Sequence, residues 1–164
     1  MTVRDADPER DAAACAAIYE PYVTESAISF ETEPPSADEM AARIRKAHVW
    51  LVAERDGQIV GYAYGGPHRE RAAYNRTAEV SAYVDQAAHR TGLGRRLYTE
   101  LFDRLKERGF RLLVAGITLP NDASVGIHEA LGFEPVGVYK NVGFKNGQWW
   151  DVGWWQLDLG APQV

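Results

Sequence analysis

Two glycines one residue apart, Gly92 and Gly94, stand between Arg90 and the pair Arg95 and Arg96, and an uninterrupted helical pattern follows them. The first turn of a helix carries unpaired N–H groups and a partial positive charge, so it holds anions. Glycine removes the Cβ that would keep an anion off the backbone, and the arginines add charge at the rim. The turn reads as a phosphate cradle or, more plainly, as a strand-to-helix connection. Two phosphate motifs do not fit: no Lys-Ser/Thr follows to complete a P-loop, and no third glycine completes the dinucleotide fingerprint. Two further side chains could move protons. Glu79 lies in the alternating run "TAEVSAYVD", on the face opposite Val80 and Ala82, and His128 lies in "PNDASVGIHEALGF". Carboxylate and imidazole are general acid–base groups, although a strand glutamate is often only a solvated charge and a helical histidine only a packing residue.

The elements that must position these groups follow from periodicity. "TVRDA" predicts a short strand, and Asp7-Pro8 a cap and first turn that open a helix through Tyr19. A second helix is expected over 37–47, with "SAISFETEPPS" as an irregular connection. "VWLVAERDGQIVGYAYGG" holds two strands around Asp56-Gly57, a dipeptide suited to a tight hairpin. The run from Thr77 is the fourth strand. Leu93, Leu97, Leu101 and Leu105, with Tyr98 and Phe102 beside them, form one helical stripe that stops at Gly109. "RLLVAGITL" is a strand of the doubly buried kind, the next helix ends at Gly132, and two final strands flank Lys145-Asn146-Gly147. The order predicts an α/β sandwich centred on the fourth strand, the glycine turn and the long helix.

The whole chain sets the bounds. Its 164 residues, 46% hydrophobic and 25% charged, suit one compact domain, expected over 1–160 with a loose tail at 161–164. A net charge of −5 argues against nucleic acid as a partner. The lone Cys15 allows no intrachain disulfide and reads as an inert buried residue. No signal-like segment or long apolar run is present, so no membrane partner and a cytoplasmic location are expected. The four histidines are too scattered for a metal motif, so no metal is expected.

"AYVDQAAHRTGLGRRLY", behind a strand carrying Glu79 and ahead of a long helix, resembles the acetyl-CoA motif of the GNAT superfamily of N-acetyltransferases. The later "LPNDASVGIHEALGF" and "VGFKNGQWWDVGWWQLDL" resemble the phosphinothricin and methionine sulfoximine/sulfone acetyltransferase group. The likeness covers nearly the whole chain. One departure is His89, where the motif usually has Gln or Arg.

The resemblance implies a GNAT fold: a mixed central sheet of about seven strands, splayed between strands four and five, with helices on both faces. It implies acetyl-CoA as co-substrate, with pantetheine along Ala82, Tyr83 and Val84, and the pyrophosphate against Arg90, Thr91, Gly92, Leu93, Gly94 and Arg95. Asn121 would contact the cofactor from the fifth-strand side, or serve only as a helix cap. Glu79 takes the position of the group's general base, and His128 replaces a tyrosine that protonates the departing thiolate in many relatives. In "PHRERAAYNR", Arg71 and Tyr74 match a substrate loop and Arg69 replaces a common lysine; Phe30 matches an aromatic wall. Such a loop suits a small amino acid held by its carboxylate. The tryptophans at 149, 150, 154 and 155 suit core and homodimer packing. The expected reaction is direct acetyl transfer to the α-amine of methionine sulfoximine, methionine sulfone, phosphinothricin or a similar molecule. Other amines (a polyamine, an aminoglycoside or a protein N-terminus), a non-catalytic acetyl-CoA sensor and a nucleotide-binding module are the competing readings.

Overall fold

The computed structural model describes residues 1–161, so the expected tail at 161–164 lies almost wholly outside the described residues. In chain order the elements are β1 (Thr2–Asp5), α1 (Pro8–Thr24), α2 (Ala37–Lys46), β2 (Val49–Arg55), β3 (Gln58–Pro67), β4 (Thr77–Val84), α3 (Leu93–Glu107), β5 (Leu112–Leu119), α4 (Asp122–Ala130), β6 (Glu134–Lys145) and β7 (Gln148–Asp158). One-turn 3-10 segments at Ala72–Tyr74 and Gln86–Ala88 flank β4. The strands form one seven-stranded sheet in the order β1-β2-β3-β4-β5-β7-β6. Among the described residues only the β4–β5 pair is parallel; the others are antiparallel. Both predicted hairpins close on two positive-φ residues, Asp56 with Gly57 and Asn146 with Gly147, the geometry that matches strand twist.

The sheet carries a separate core on each face. Leu93, Leu97, Leu101 and Leu105 of α3 are all but completely buried against Ala78, Val80, Leu113 and Ala115. On the opposite face α1 and α2 pack Cys15, Ile18, Tyr19, Met40 and Ile44 over Trp50, Val52 and Tyr62. Burial pushes the Cys15 thiol up to about 12, which keeps it protonated and inert. Because strand residues alternate, Val80 and Ala82 face α3, whereas Tyr83 packs on Tyr19 and Tyr22 of α1 with ring centroids 4.9 and 5.1 Å away. Glu79 shares that α1-side face.

One expectation needs correction, and β6 adds a feature on which the sequence was silent. Helix α1 does not stop at Tyr19 but continues through Pro21 to Thr24. Proline removes one backbone bond there, and the packing of Tyr22 on Tyr83 and of buried Val23 offsets it. Strand β6 is not smooth: its register against β7 shifts between Tyr139 and Gly143, where Asn141 takes φ 52° and its N–H donates to Asp151 Oδ1 at 2.7 Å.

The start of α1 is tied to the sheet by charge. Asp11 is buried and accepts from Arg4 Nη1 at 2.7 Å, Arg4 Nη2 at 3.0 Å and the Asp7 N–H at 2.8 Å. Burial alone would raise its pKa, but the Arg4 and Asp7 hydrogen bonds outweigh that and hold it below the usual carboxylate value. A depressed carboxylate contributes stability above its unfolded pKa and loses it as pH falls through the folded one. Asp11→Asn is therefore expected to cost roughly 3–5 kcal/mol at neutral pH, with the deficit shrinking in acid, as measured by urea unfolding at several pH values.

Candidate active site

Parallel pairing of β4 with β5 covers only Thr77↔Leu112, Ala78↔Leu113 and Glu79↔Val114. Beyond Glu79 the two strands diverge, while β4 stays paired with β3 as far as Val84. The β5-facing polar groups of β4 between Val80 and Val84 thus have no strand partner. They border a cleft of about 570 Å³ whose walls include Ala82, Tyr83 and Val84 on one side and Ala115 to Thr118 on the other. On the α1 side, the Tyr22 hydroxyl donates to the Val84 carbonyl at 2.7 Å.

The far end of the cleft is the start of α3. Gly92 occupies its N-cap at φ 79°, in the left-handed region that glycine takes without steric cost. A Cβ on Gly94 would stand 3.5 Å from Ile127 Cδ1 and 3.8 Å from Val84 Cγ2, so a side chain fits there only by entering the cleft. Helices α1, α2 and α4 are each capped by a side chain, from Asp7, Ser36 and Asn121, and each has an acidic residue in its first turn. Helix α3 has neither. Its first N–H groups remain available to an anion, with Arg90 and Arg95 on the cleft wall. His89 and Tyr22 are 2.9 Å apart through Nε2 and the hydroxyl. Since that hydroxyl donates to Val84, the imidazole donates to it, tying the loop to α1.

The opposite wall comes from α4. Asn121 Oδ1 accepts from the Ser124 N–H at 3.1 Å, so the residue is a helix cap and lines the cleft as well. His128 is buried, with Nδ1 2.7 Å from the Ser124 carbonyl and Nε2 3.0 Å from the Tyr98 hydroxyl. A carbonyl only accepts, so Nδ1 carries the hydrogen and Nε2 accepts from Tyr98. Burial lowers the His128 pKa and the Ser124 bond only partly opposes this, so the ring is neutral at neutral pH. Burial raises the Tyr98 pKa and keeps its proton in place.

A second cavity, of about 500 Å³, opens on the other side of Glu79 and is lined by His68, Arg69, Tyr74, Thr77, Val114 and Trp154 among others. Glu79 lies on β4 between Thr77, which lines this cavity, and Val80, which lines the cleft. Its Oε2 is 3.1 Å from His68 Nδ1, and its side chain is 36% exposed. Arg69 Nη1 donates to the His68 carbonyl at 2.7 Å. A carboxylate on β4 thus stands where a cleft with an uncapped helix end meets an aromatic cavity bearing one arginine.

Comparison with known proteins gives this geometry a family. The family model of an acetyltransferase (GNAT) domain matches residues 6–154. The chain belongs to the GNAT acetyltransferase family. A phosphinothricin N-acetyltransferase of Streptomyces viridochromogenes is 43% identical over 155 residues, 93% of this chain and 85% of the relative. An L-methionine sulfoximine/L-methionine sulfone acetyltransferase of Salmonella typhimurium is 36% identical over 163 residues, 97% of this chain and 95% of the relative. The crystal structure of a phosphinothricin acetyltransferase from Sinorhizobium meliloti in complex with acetyl-CoA superposes with a TM-score of 0.92 at 36% identity, covering 97% of this chain and 88% of that one.

As a GNAT acetyltransferase, the chain is an acetyl-CoA-dependent N-acetyltransferase, and its residues fit that cofactor: an open strand edge, an uncapped helix end and basic side chains at its rim. Of the residues predicted from the acetyltransferase motif, Ala82, Tyr83, Val84, Arg90, Gly92, Leu93, Gly94, Arg95 and Asn121 line the cleft. Thr91 does not; its hydroxyl donates to the Ala88 carbonyl at 2.6 Å and shapes the loop from behind. His128 lines the cleft, and Arg69 and Tyr74 line the second cavity. Arg71 is exposed outside that cavity, and Phe30 lies across the β6 bulge, its ring filling the space that a Cβ on Gly143 would need. Sequence reasoning missed Tyr98, counted only as an apolar neighbour in the α3 stripe, and Tyr22, which lies beyond the predicted end of α1. Spacing four residues apart from Gly94 could have flagged Tyr98 as cleft-facing.

Proposed function

We propose that this acetyltransferase moves an acetyl group to the α-amine of a small amino acid or analogue of the methionine sulfone, methionine sulfoximine or phosphinothricin type. The observation that carries the reading is the position of Glu79, the last residue of β4 paired with β5, between the cofactor cleft and an arginine-bearing cavity. Acetyl-CoA supplies an activated acetyl group and a thiol leaving group. The chain does the rest. Uncapped N–H groups of α3, with Arg90 and Arg95, hold the diphosphate, and the open edge of β4 orients the pantetheine arm and offers N–H donors to a developing oxyanion. Glu79 supplies the basicity that removes a proton from the ammonium group, which has no lone pair until then. The Tyr98–His128 pair on the opposite wall carries the hydrogen that the departing thiol sulfur needs. Cys15 is buried in the α1 core, so no acetyl-enzyme is formed on it.

Arg69 holds the substrate carboxylate in this reading, because it is the arginine on the cavity wall whereas Arg71 lies outside. Arg69→Ala is expected to raise KM for methionine sulfone roughly 10- to 100-fold, the worth of one charge-assisted hydrogen bond. KM for acetyl-CoA should stay within about twofold. Steady-state kinetics with the decarboxylated amine checks the assignment: its KM must not respond to the substitution.

Homodimerisation is part of the same reading. Val136, Tyr139, Val142, Phe144 and Trp149 are each more than half exposed on the outer strand β6 and the start of β7, apolar side chains suited to a second copy, and Val136 and Tyr139 also line the acceptor cavity. The tryptophans at 149, 150, 154 and 155 divide: Trp155 is buried in the core, Trp154 lines the acceptor cavity, Trp150 Nε1 donates to the Lys145 carbonyl at 2.9 Å and Trp149 is 62% exposed. A free buried thiol and dependence on acetyl-CoA suit a cytoplasmic setting.

A further inference from the structure

His68 is absent from the chemistry considered so far, yet it is the titratable residue nearest Glu79. Its Nδ1 lies 3.1 Å from Glu79 Oε2 and 3.5 Å from Arg69 Nη1. The guanidinium cannot accept a hydrogen bond, and the carboxylate contact is the shorter, so Nδ1 carries the hydrogen and donates to Glu79. The tautomer is thereby fixed. Nε2 keeps the lone pair and has no hydrogen-bond partner among the described residues. The ring is held edge-on between Tyr74 and Trp154, each with its centroid 6.0 Å away. It lines the acceptor cavity, whereas Glu79 stands at that cavity's end.

We propose that His68 and Glu79 act as a carboxylate–imidazole dyad, in which His68 Nε2 takes the proton from the substrate ammonium while Glu79 fixes the tautomer and stabilises the imidazolium that forms. This rests on Glu79 being the source of basicity and adds the group through which that basicity reaches the amine. The balance is simple. One N–H bond of the ammonium breaks, its proton forms the Nε2–H bond, and the freed electron pair becomes the nucleophile. The charge moves from substrate to imidazole, 3.1 Å from a carboxylate, and the proton later leaves to water.

The chemical advantage is one of matching. A free α-amino group ordinarily releases its proton near pH 8, an imidazole near 6.5 and a carboxylate near 4.3, all approximate reference values. A proton transfer that would be uphill by more than three units to a lone carboxylate is uphill by about one and a half to an imidazole. The groups facing His68 are Glu79 from β4, the Tyr74 hydroxyl-bearing ring from the 3-10 turn, the Trp154 ring from β7 and Arg69 from its own loop. Only the carboxylate among them favours the charged imidazole by contact; Arg69 opposes it from the longer distance.

The test is the pH dependence of kcat, at saturating acetyl-CoA and amine, for the wild-type chain, His68→Gln and Glu79→Gln. Glutamine at 68 can still donate to Glu79 but offers no basic nitrogen. The wild type is expected to lose kcat in acid along one limb, as the basic nitrogen of the dyad is protonated. His68→Gln is expected to lower kcat at neutral pH roughly 10- to 100-fold, and to move the acid limb to lower pH, as the carboxylate alone takes over. Unchanged acetyl-CoA affinity in a titration shows the variant is folded. A wild-type limb in the carboxylate range, or a His68→Gln profile superimposable on the wild type, overturns the dyad while leaving Glu79 as the base. Wild-type kcat in Glu79→Gln overturns the reading on which the dyad rests.

Discussion

Glu79→Gln is expected to retain acetyl-CoA affinity within about twofold and to lose roughly 10²- to 10⁴-fold in kcat near neutral pH, the range found for a positioned base. The substitution keeps the size of the side chain and a hydrogen bond to His68 but removes the negative charge. Nothing in the cofactor cleft depends on that charge, because Glu79 lies on the α1-side face and is not part of the cleft wall. The loss therefore falls on the chemical step. In KM-against-kcat terms, kcat and kcat/KM for the amine fall together while KM for acetyl-CoA stays put. A variant that loses both substrates' affinities instead would show Glu79 to be a structural residue of the splay.

Gly94→Asp is expected to have the opposite signature. A Cβ at 94 would meet its neighbours at ordinary van der Waals distances, 3.5 Å to Ile127 and 3.8 Å to Val84, so the fold tolerates the side chain. The carboxylate enters the cleft beside the uncapped end of α3, where the diphosphate is to sit. An aspartate in the first turn even suits the helix dipole, so thermal stability should hold or rise slightly. Like-charge juxtaposition costs several kcal/mol, which predicts acetyl-CoA affinity weaker by 10²-fold or more in calorimetry, about 2.7 kcal/mol at least. Gly94→Ala, which adds volume without charge, should lose far less. Equal losses in the two variants would mean that space, not charge, governs the cradle.

These expectations show what was legible in the residues themselves. The two hairpins were readable because Asp56-Gly57 and Lys145-Asn146-Gly147 specify positive φ locally. The α3 stripe and the cofactor turn were readable because period and glycine placement are local signals too. The extension of α1 through Pro21 was not, since it depends on Tyr22 and Val23 meeting a sheet formed much later in the chain. The bulge in β6 depends on Asp151 of the neighbouring strand. The residues of the glycine motif lie together because they are contiguous at one helix start, whereas Tyr22 and Tyr98 join the same cleft only through the packing of α1 and α3. The acceptor side was less legible. It is assembled from a loop, the sheet edge and β7, and no periodicity tells that Arg69 lines the cavity whereas Arg71 does not, or that His68 reaches Glu79. Residues distant in sequence meet there only because β3 and β4 pair and Trp154 closes the opposite side.

The most direct test of acetyl transfer to a small amino acid is a steady-state thiol-release assay with purified chain and acetyl-CoA. Methionine sulfone, methionine sulfoximine and phosphinothricin would be compared with a polyamine and an aminoglycoside, and mass spectrometry would read the product. Coenzyme A and N-acetylated amino acid are expected to form one for one with at least one of the three carboxylate-bearing amines, at a kcat/KM well above that for either other amine. Release confined to the polyamine or aminoglycoside, or no release with any of them, would contradict it.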